Sequence, residues 1–220
     1  LLVVLDEAIC LTAGHDPVDL GISLVKSGVR RLWYRCKAPQ EASNIKQVER
    51  LLKNTKPCQL KLTLSASDAL FMPQIGCGLH LSSRHAHVQK AIELQSGAPT
   101  GQSCHNLEEA GQAFNAGIDY ITISPVWTTI SHKTCPRTPL GTAGLALVAQ
   151  NTSGPVFALG GITSTRVSGC LQAGAHGVAV LGAICLAPDP LKAAETLFDA
   201  LGLALKTEKL DSPNLLSPHH

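Results

Sequence analysis

Short apolar runs alternate with longer amphipathic stretches from one end of the chain to the other. Apolar or period-two runs predict strands at Leu1–Leu5, Arg31–Arg35, Gln59–Leu64, Gly78–Leu81, Gly101–Cys104, Tyr120–Ser124, Pro155–Leu159 and Gly177–Leu181. Helical spacing of apolar positions predicts helices over Asp16–Lys26, Glu41–Asn54, Leu107–Ala116, Thr142–Gln150, Ser164–Ala173 and Pro190–Leu205. End signals agree with these starts. Asn106 before "LEEA" and Thr163-Ser164 before "TRVSGCL" read as N-caps, because a short polar side chain can accept from the free amides of the first turn. Gly117 and Gly174 stand where helices should stop, since glycine adopts the left-handed cap without steric cost.

Eight strand–helix units in 220 residues, with no linker or composition shift, predict one closed (βα)8 TIM barrel near the lower size limit of that fold. A doubly wound open sheet is the alternative. The barrel is placed at residues 1–205, and "KTEKLDSPNLLSPHH" reads as a flexible C-terminal tail over 206–220.

Two neighbouring strands end in glycine within "FALGGITSTRVSGCLQAGAHGVAVLGAI", at Gly160-Gly161 and at Leu181-Gly182. In a TIM barrel the ends of the seventh and eighth strands often hold a phosphate, because backbone amides at a helix start attract an anion and a missing side chain admits it. Gly160, Gly161, Leu181 and Gly182 are therefore candidate phosphate contacts. The competing reading is that these glycines only shape tight turns.

Composition narrows the class. The net charge of +2 with scattered cations, and the absence of a binding motif, argue against a nucleic-acid partner. No apolar run approaches the roughly 18 residues of a membrane span, and the acidic opening "LLVVLDEAICL" predicts no secretory signal. Eight cysteines without a CxxC pair read as reduced, mostly structural thiols of a cytoplasmic protein.

"GQSCHNLEEAGQAFNAGIDYITISPVWTT", followed by the glycine-ended segment above, resembles the thiamine-phosphate synthase/TenI family of (βα)8 barrels. The likeness is strong from Gly101 to Ile184 and weaker at "RLWYRCKAP" and "GCGLHLSS". It implies a role in thiamine biosynthesis. The synthases join a hydroxymethylpyrimidine diphosphate to a thiazole phosphate and release pyrophosphate with the help of Mg²⁺; TenI proteins tautomerise a thiazole phosphate. The family's second-strand Gln-Leu-Arg-x-Lys, whose cations grip the diphosphate, reads Trp33-Tyr34-Arg35-Cys36-Lys37 here. Ser103 and His105 match its Ser-x-His, with Ser103 a contact for the pyrimidine and His105 a helix-capping or proton-transferring residue. Thr129 and Ser131 match its Thr-x-Thr beside the phosphate, and His132 or Lys133 takes the place of the lysine that follows.

Other positions depart from the family. Ser65-Ala66 occupies the place of an Asn-Asp pair, leaving Asp68 as the one metal candidate. His85, beside Arg84, replaces a second Asp. Magnesium favours carboxylate oxygens, so an ordinary Mg²⁺ site is in question, and Arg84 and His85 are candidates to replace its charge. Ser124-Pro125 stands where the tautomerase carries its histidine. Three functions remain open: synthase-type coupling, expected first because the diphosphate-gripping cations persist; thiazole phosphate tautomerisation through His105 or His132, with His80 less well placed; and thiazole phosphate binding without turnover. A homodimer is compatible with a barrel of this size.

Overall fold

The structure is a computed structural model of the chain and describes residues 1–36, 42–65, 77–94, 97–129 and 137–211. Eight parallel strands close into a barrel in sequence order: β1 (Leu2–Asp6), β2 (Arg31–Arg35), β3 (Lys61–Ser65), β4 (Gly78–Leu81), β5 (Thr100–Cys104), β6 (Tyr120–Ile123), β7 (Val156–Leu159) and β8 (Gly177–Val180). Pairing of Leu2 with Ala179 and of Val3 with Val180 closes the ring and excludes the open sheet. The helices that the residues describe are α1 (Glu7–Thr12), α2 (Pro17–Lys26), α3 (Ala42–Thr55), α4 (Val88–Leu94), α5 (Leu107–Asn115), α6 (Gly141–Gln150), α7 (Val167–Gln172), α8 (Gly182–Cys185) and α9 (Pro190–Asp211).

The two faces of each strand feed two cores. Outward residues such as Leu5, Leu32, Leu64, Ile121 and Val156 pack beneath the helices in one continuous cluster. Each such leucine or isoleucine contributes about 1.5–3 kcal/mol when removed from water. Inward residues Leu2, Val4, Trp33, Phe157, Ala179 and Leu181 form a second, smaller cluster inside the barrel. Glycines on the inner face make room for its rings. A Cβ on Gly101 would lie 2.2 Å from the Tyr120 ring, and one on Gly177 would lie 3.1 Å from Phe157. Tyr120 and Phe157 meet edge to face at 5.8 Å.

The caps explain several boundaries. Asn106 accepts from the Glu109 amide at 2.8 Å, as expected. Gly117 and Gly174 take positive φ of 91° and 89° just past their helices. Thr163 departs from expectation: its hydroxyl meets the Thr165 hydroxyl at 3.0 Å and makes no cap bond. The segment after β7 accordingly starts as a 3-10 turn at Ser164–Arg166 before α7 begins. Helix α1 was hidden because it follows β1 directly, with Asp6 ending the strand and capping the helix through the Ile9 amide at 3.1 Å. Helix α9 continues to Asp211, six residues beyond the predicted end, because "KTEKLD" carries helix formers before the first proline of the tail. Residues 212–220 of the expected tail lie outside the described residues.

Candidate active site

All eight strands point their C-terminal ends to one mouth, so the residues that close each strand face a common space. A cavity of about 780 Å³ opens there. Arg35 comes from the end of β2, Ser65 from β3, Ser103 from β5, Leu159 from β7 and Leu181 from the residue directly after β8.

Of the candidates drawn from the sequence, Arg35, Ser103, His105, Thr129, Gly160, Gly161, Leu181 and Gly182 line this cavity. Lys37, Asp68, Ser131, His132 and Lys133 lie outside the described residues. Arg84 and His85 do not line it. His85 is buried and its Nδ1 accepts the His87 amide at 3.2 Å, so it does not stand in for the family's acid at the cavity.

The glycine-ended strands show two causes at once. At Gly160 a Cβ would lie 2.9 Å from Pro125 Cα, and at Gly161 it would lie 2.6 Å from the Thr128 carbonyl oxygen. Both positions have positive φ, 99° and 64°. The loop after β6 thus requires glycine there on packing grounds alone, fastened by Val126 and Trp127 amides donating to Leu159 and Gly160 carbonyls at 3.0 Å. That same packing leaves amides open. Among the described residues, no hydrogen bond engages the backbone N–H of Gly160, Gly161, Gly182 or Ala183, all of which line the cavity.

Cations border this wall. Arg166 folds back so that its guanidinium donates to the Gly161 carbonyl and lies 5.0 Å from the Trp127 ring centre. Arg137 also reaches the cavity. Both were missed at the sequence level. The available signal was position, since each closes a segment following a strand whose end faces the mouth. Arg35 is held by Asp6 at 3.5 Å and by the face of Trp33 at 5.6 Å, with about a third of its side chain exposed. Ser103 and Arg35 stand on inward-facing positions of their strands, in register with neighbours that also face inward.

His105 is oriented by two bonds. Its amide donates to Glu109 at 2.8 Å, and its Nδ1 lies 2.6 Å from the Ser124 carbonyl. A carbonyl only accepts, so Nδ1 carries a proton. The ring therefore is a cavity group with a fixed orientation, and Asn106 does the capping. His80 differs. It is 2% exposed, and burial, reinforced by Arg35, lowers its pKa to about 3, so it stays neutral.

No carboxylate lines the cavity among the described residues, and no cluster of three or more His, Cys, Asp or Glu forms a metal cage there. Asp6 is committed to Arg35 and to the first turn of α1. These residues do not fit a Mg²⁺ ion, which favours acidic oxygens.

The thiamine monophosphate synthase family model matches residues 1–184. The chain belongs to this family. It is 29% identical over 197 residues to thiamine-phosphate synthase of Chloroflexus aurantiacus, spanning 90% of each protein. It is 30% identical over 166 residues to putative thiamine-phosphate synthase 2 of Aquifex aeolicus, spanning 76% of this chain and 88% of that one. Thiamine phosphate pyrophosphorylase from Pyrococcus furiosus has the same fold, with a TM-score of 0.77 at 22% identity over 93% of this chain and 96% of that one.

Proposed function

We propose that the protein couples a hydroxymethylpyrimidine diphosphate to a thiazole phosphate in thiamine biosynthesis, releasing pyrophosphate. The observation that carries this reading is the make-up of the cavity: three arginines and a row of open amides on its walls, and no acid among the described residues. Such a lining suits two phosphorylated ligands.

In this reading the thiazole phosphate sits at Gly161, Gly182 and Ala183, beside Arg166 and Arg137. The pyrimidine diphosphate extends towards Arg35. The bond between the pyrimidine's methylene carbon and the diphosphate oxygen breaks, and both electrons leave with pyrophosphate. The thiazole nitrogen lone pair forms the new carbon–nitrogen bond. Arg35, already fixed by Asp6 and Trp33, opposes the charge that grows on the leaving group without having to reorganise. Lys37 joins it in this proposal, as the next family cation along the chain, and Thr129, Ser131 and His132 or Lys133 are proposed as further phosphate contacts on the strength of the family match. Magnesium, where the family uses it, would add charge to the same leaving group; no step here depends on it.

His105 favours one second reading. An imidazole at the cavity, with Nδ1 held by a carbonyl, leaves Nε2 as the nitrogen for proton exchange with a thiazole, as a tautomerase requires. The protein is cytoplasmic in this account, and no described helix is long and apolar enough to cross a membrane.

Incubation with both substrates, followed by mass spectrometry, separates the readings. Thiamine phosphate and pyrophosphate appearing together are the expected result, with and without EDTA. Tautomerised thiazole alone, lost in His105→Gln, supports the second reading. Binding of thiazole phosphate with no turnover contradicts both.

A further inference from the structure

The seam where the barrel closes carries two cysteines that the coupling reaction does not use. Strand β1 pairs with β8, and each is followed by a short helix, α1 and α8, which pack against one another. Cys10 lies on α1 and Cys185 on α8, 175 positions apart in the chain. Both are wholly buried in the outer core. Their side chains share a hydrogen bond, so the two sulfurs are neighbours. Cys185 Sγ also lies 3.4 Å from the Val4 carbonyl, which holds it against the strand that leads into α1.

A buried thiol by itself serves as a small apolar side chain. Two features take this pair further. The shared hydrogen bond divides it unequally, holding the Cys185 thiol below the ordinary cysteine value and pushing Cys10 up. Loss of a proton from Cys185 thus leaves a thiolate to which the Cys10 S–H donates, so that one sulfur can attack and the other resolve. The cover over the pair is also thin. Helix α8 has four residues and α1 six, and the residues that follow the thiols, Leu186 and Leu11, are 39% and 58% exposed. Helices this short hold few backbone bonds of their own and open locally at small cost, which admits a small oxidant.

We propose that Cys10 and Cys185 form a reversible disulfide that staples the first and last strand–helix units across the closing seam of the barrel. The oxidant is a small disulfide, glutathione disulfide. The Cys185 thiolate attacks one of its sulfurs and forms a mixed disulfide, and the departing glutathione thiolate takes up the proton that Cys185 lost. Cys10 Sγ then attacks Cys185 Sγ, and its proton goes to the second departing glutathione. Two protein thiols are oxidised and one glutathione disulfide is reduced to two glutathiones. The bond ties together chain segments 175 positions apart, and constraining so long a loop in the unfolded chain raises stability. Because α8 opens with Gly182 and Ala183, it also fixes that stretch of the cavity wall to α1.

The test uses the folded, reduced full chain incubated with glutathione disulfide. Remaining thiols are alkylated in denaturant, and the protein is digested with trypsin without reductant for mass spectrometry. Fragmentation distinguishes Cys185 from Cys170, which falls on the same tryptic peptide. A Cys10–Cys185 link that dithiothreitol removes is expected. Recovery of both residues as alkylated thiols, glutathione retained in place of the link, or a link from either residue to another cysteine overturns the proposal. Thermal unfolding gives a second reading. The oxidised wild type is expected to melt about 5 °C or more above the reduced protein, with no such rise in Cys185→Ser treated in the same way. Equal melting temperatures for the two wild-type forms, or a rise that persists in Cys185→Ser, overturn the staple.

Discussion

His80 shows how one buried side chain can leave a signature on the whole protein. Its folded pKa of about 3 lies below the ordinary histidine value of 6.5. In the window between those two values the unfolded chain binds a proton that the folded chain refuses. Stability is therefore complete above pH 6.5 and falls as pH drops towards 3, by at most about 1.4 kcal/mol per pH unit from this group. Urea titrations at pH 4, 5 and 7 should show that slope in the wild type and a shallower one in His80→Gln. Parallel slopes would contradict the buried neutral histidine. The residue was visible in "GLHL", but its role was not, because the partners Tyr120, Ser103 and Trp33 come from three other strands. Arg166 was hidden for a similar reason. Its link to the cavity runs through Trp127 and the Gly161 carbonyl, contacts made only when the loops after β6 and β7 fold together.

Among the elements, the β7 end and the loop after β6 form one unit. Gly161 has both a left-handed backbone and a carbonyl 2.6 Å from its missing Cβ, while Gly117, a helix stop, has a left-handed backbone and only an ordinary van der Waals contact, with Ile92 at 3.8 Å. The two glycines separate conformational cost from steric cost. Gly117→Ala should lose about 1 kcal/mol, and Gly161→Ala about 1–2 kcal/mol more, read from denaturant midpoints. Equal losses would mean that the loop yields without cost. Strand positions were readable because each strand carries its own apolar run; β2 and β4 match their predicted limits. The short helices α1, α4 and α8 were not, since four to seven residues hold too few apolar repeats to set a helical period. Buried thiols fit the same picture. Cys77 and Cys104 have pKa values raised to about 11 and about 12 by burial, and none of the seven described cysteines is in a disulfide.

For the whole molecule, closure of eight strands is what turns scattered motifs into a site. The glycine pair, the second-strand arginine and the fifth-strand serine and histidine lie up to 147 residues apart, from Arg35 to Gly182, yet line one space. That convergence could be anticipated from the unbroken strand–helix rhythm, because a parallel barrel sends every strand end to the same face. The charge balance of the mouth was less accessible. Its arginines, and the absence of acids among the described lining residues, emerge only once those residues are known.

A crystal structure of the protein with thiazole phosphate tests the account most directly. The phosphate oxygens should lie about 2.7–3.2 Å from the amide nitrogens of Gly161 and Gly182. A phosphate bound elsewhere, with those amides unengaged, would contradict it.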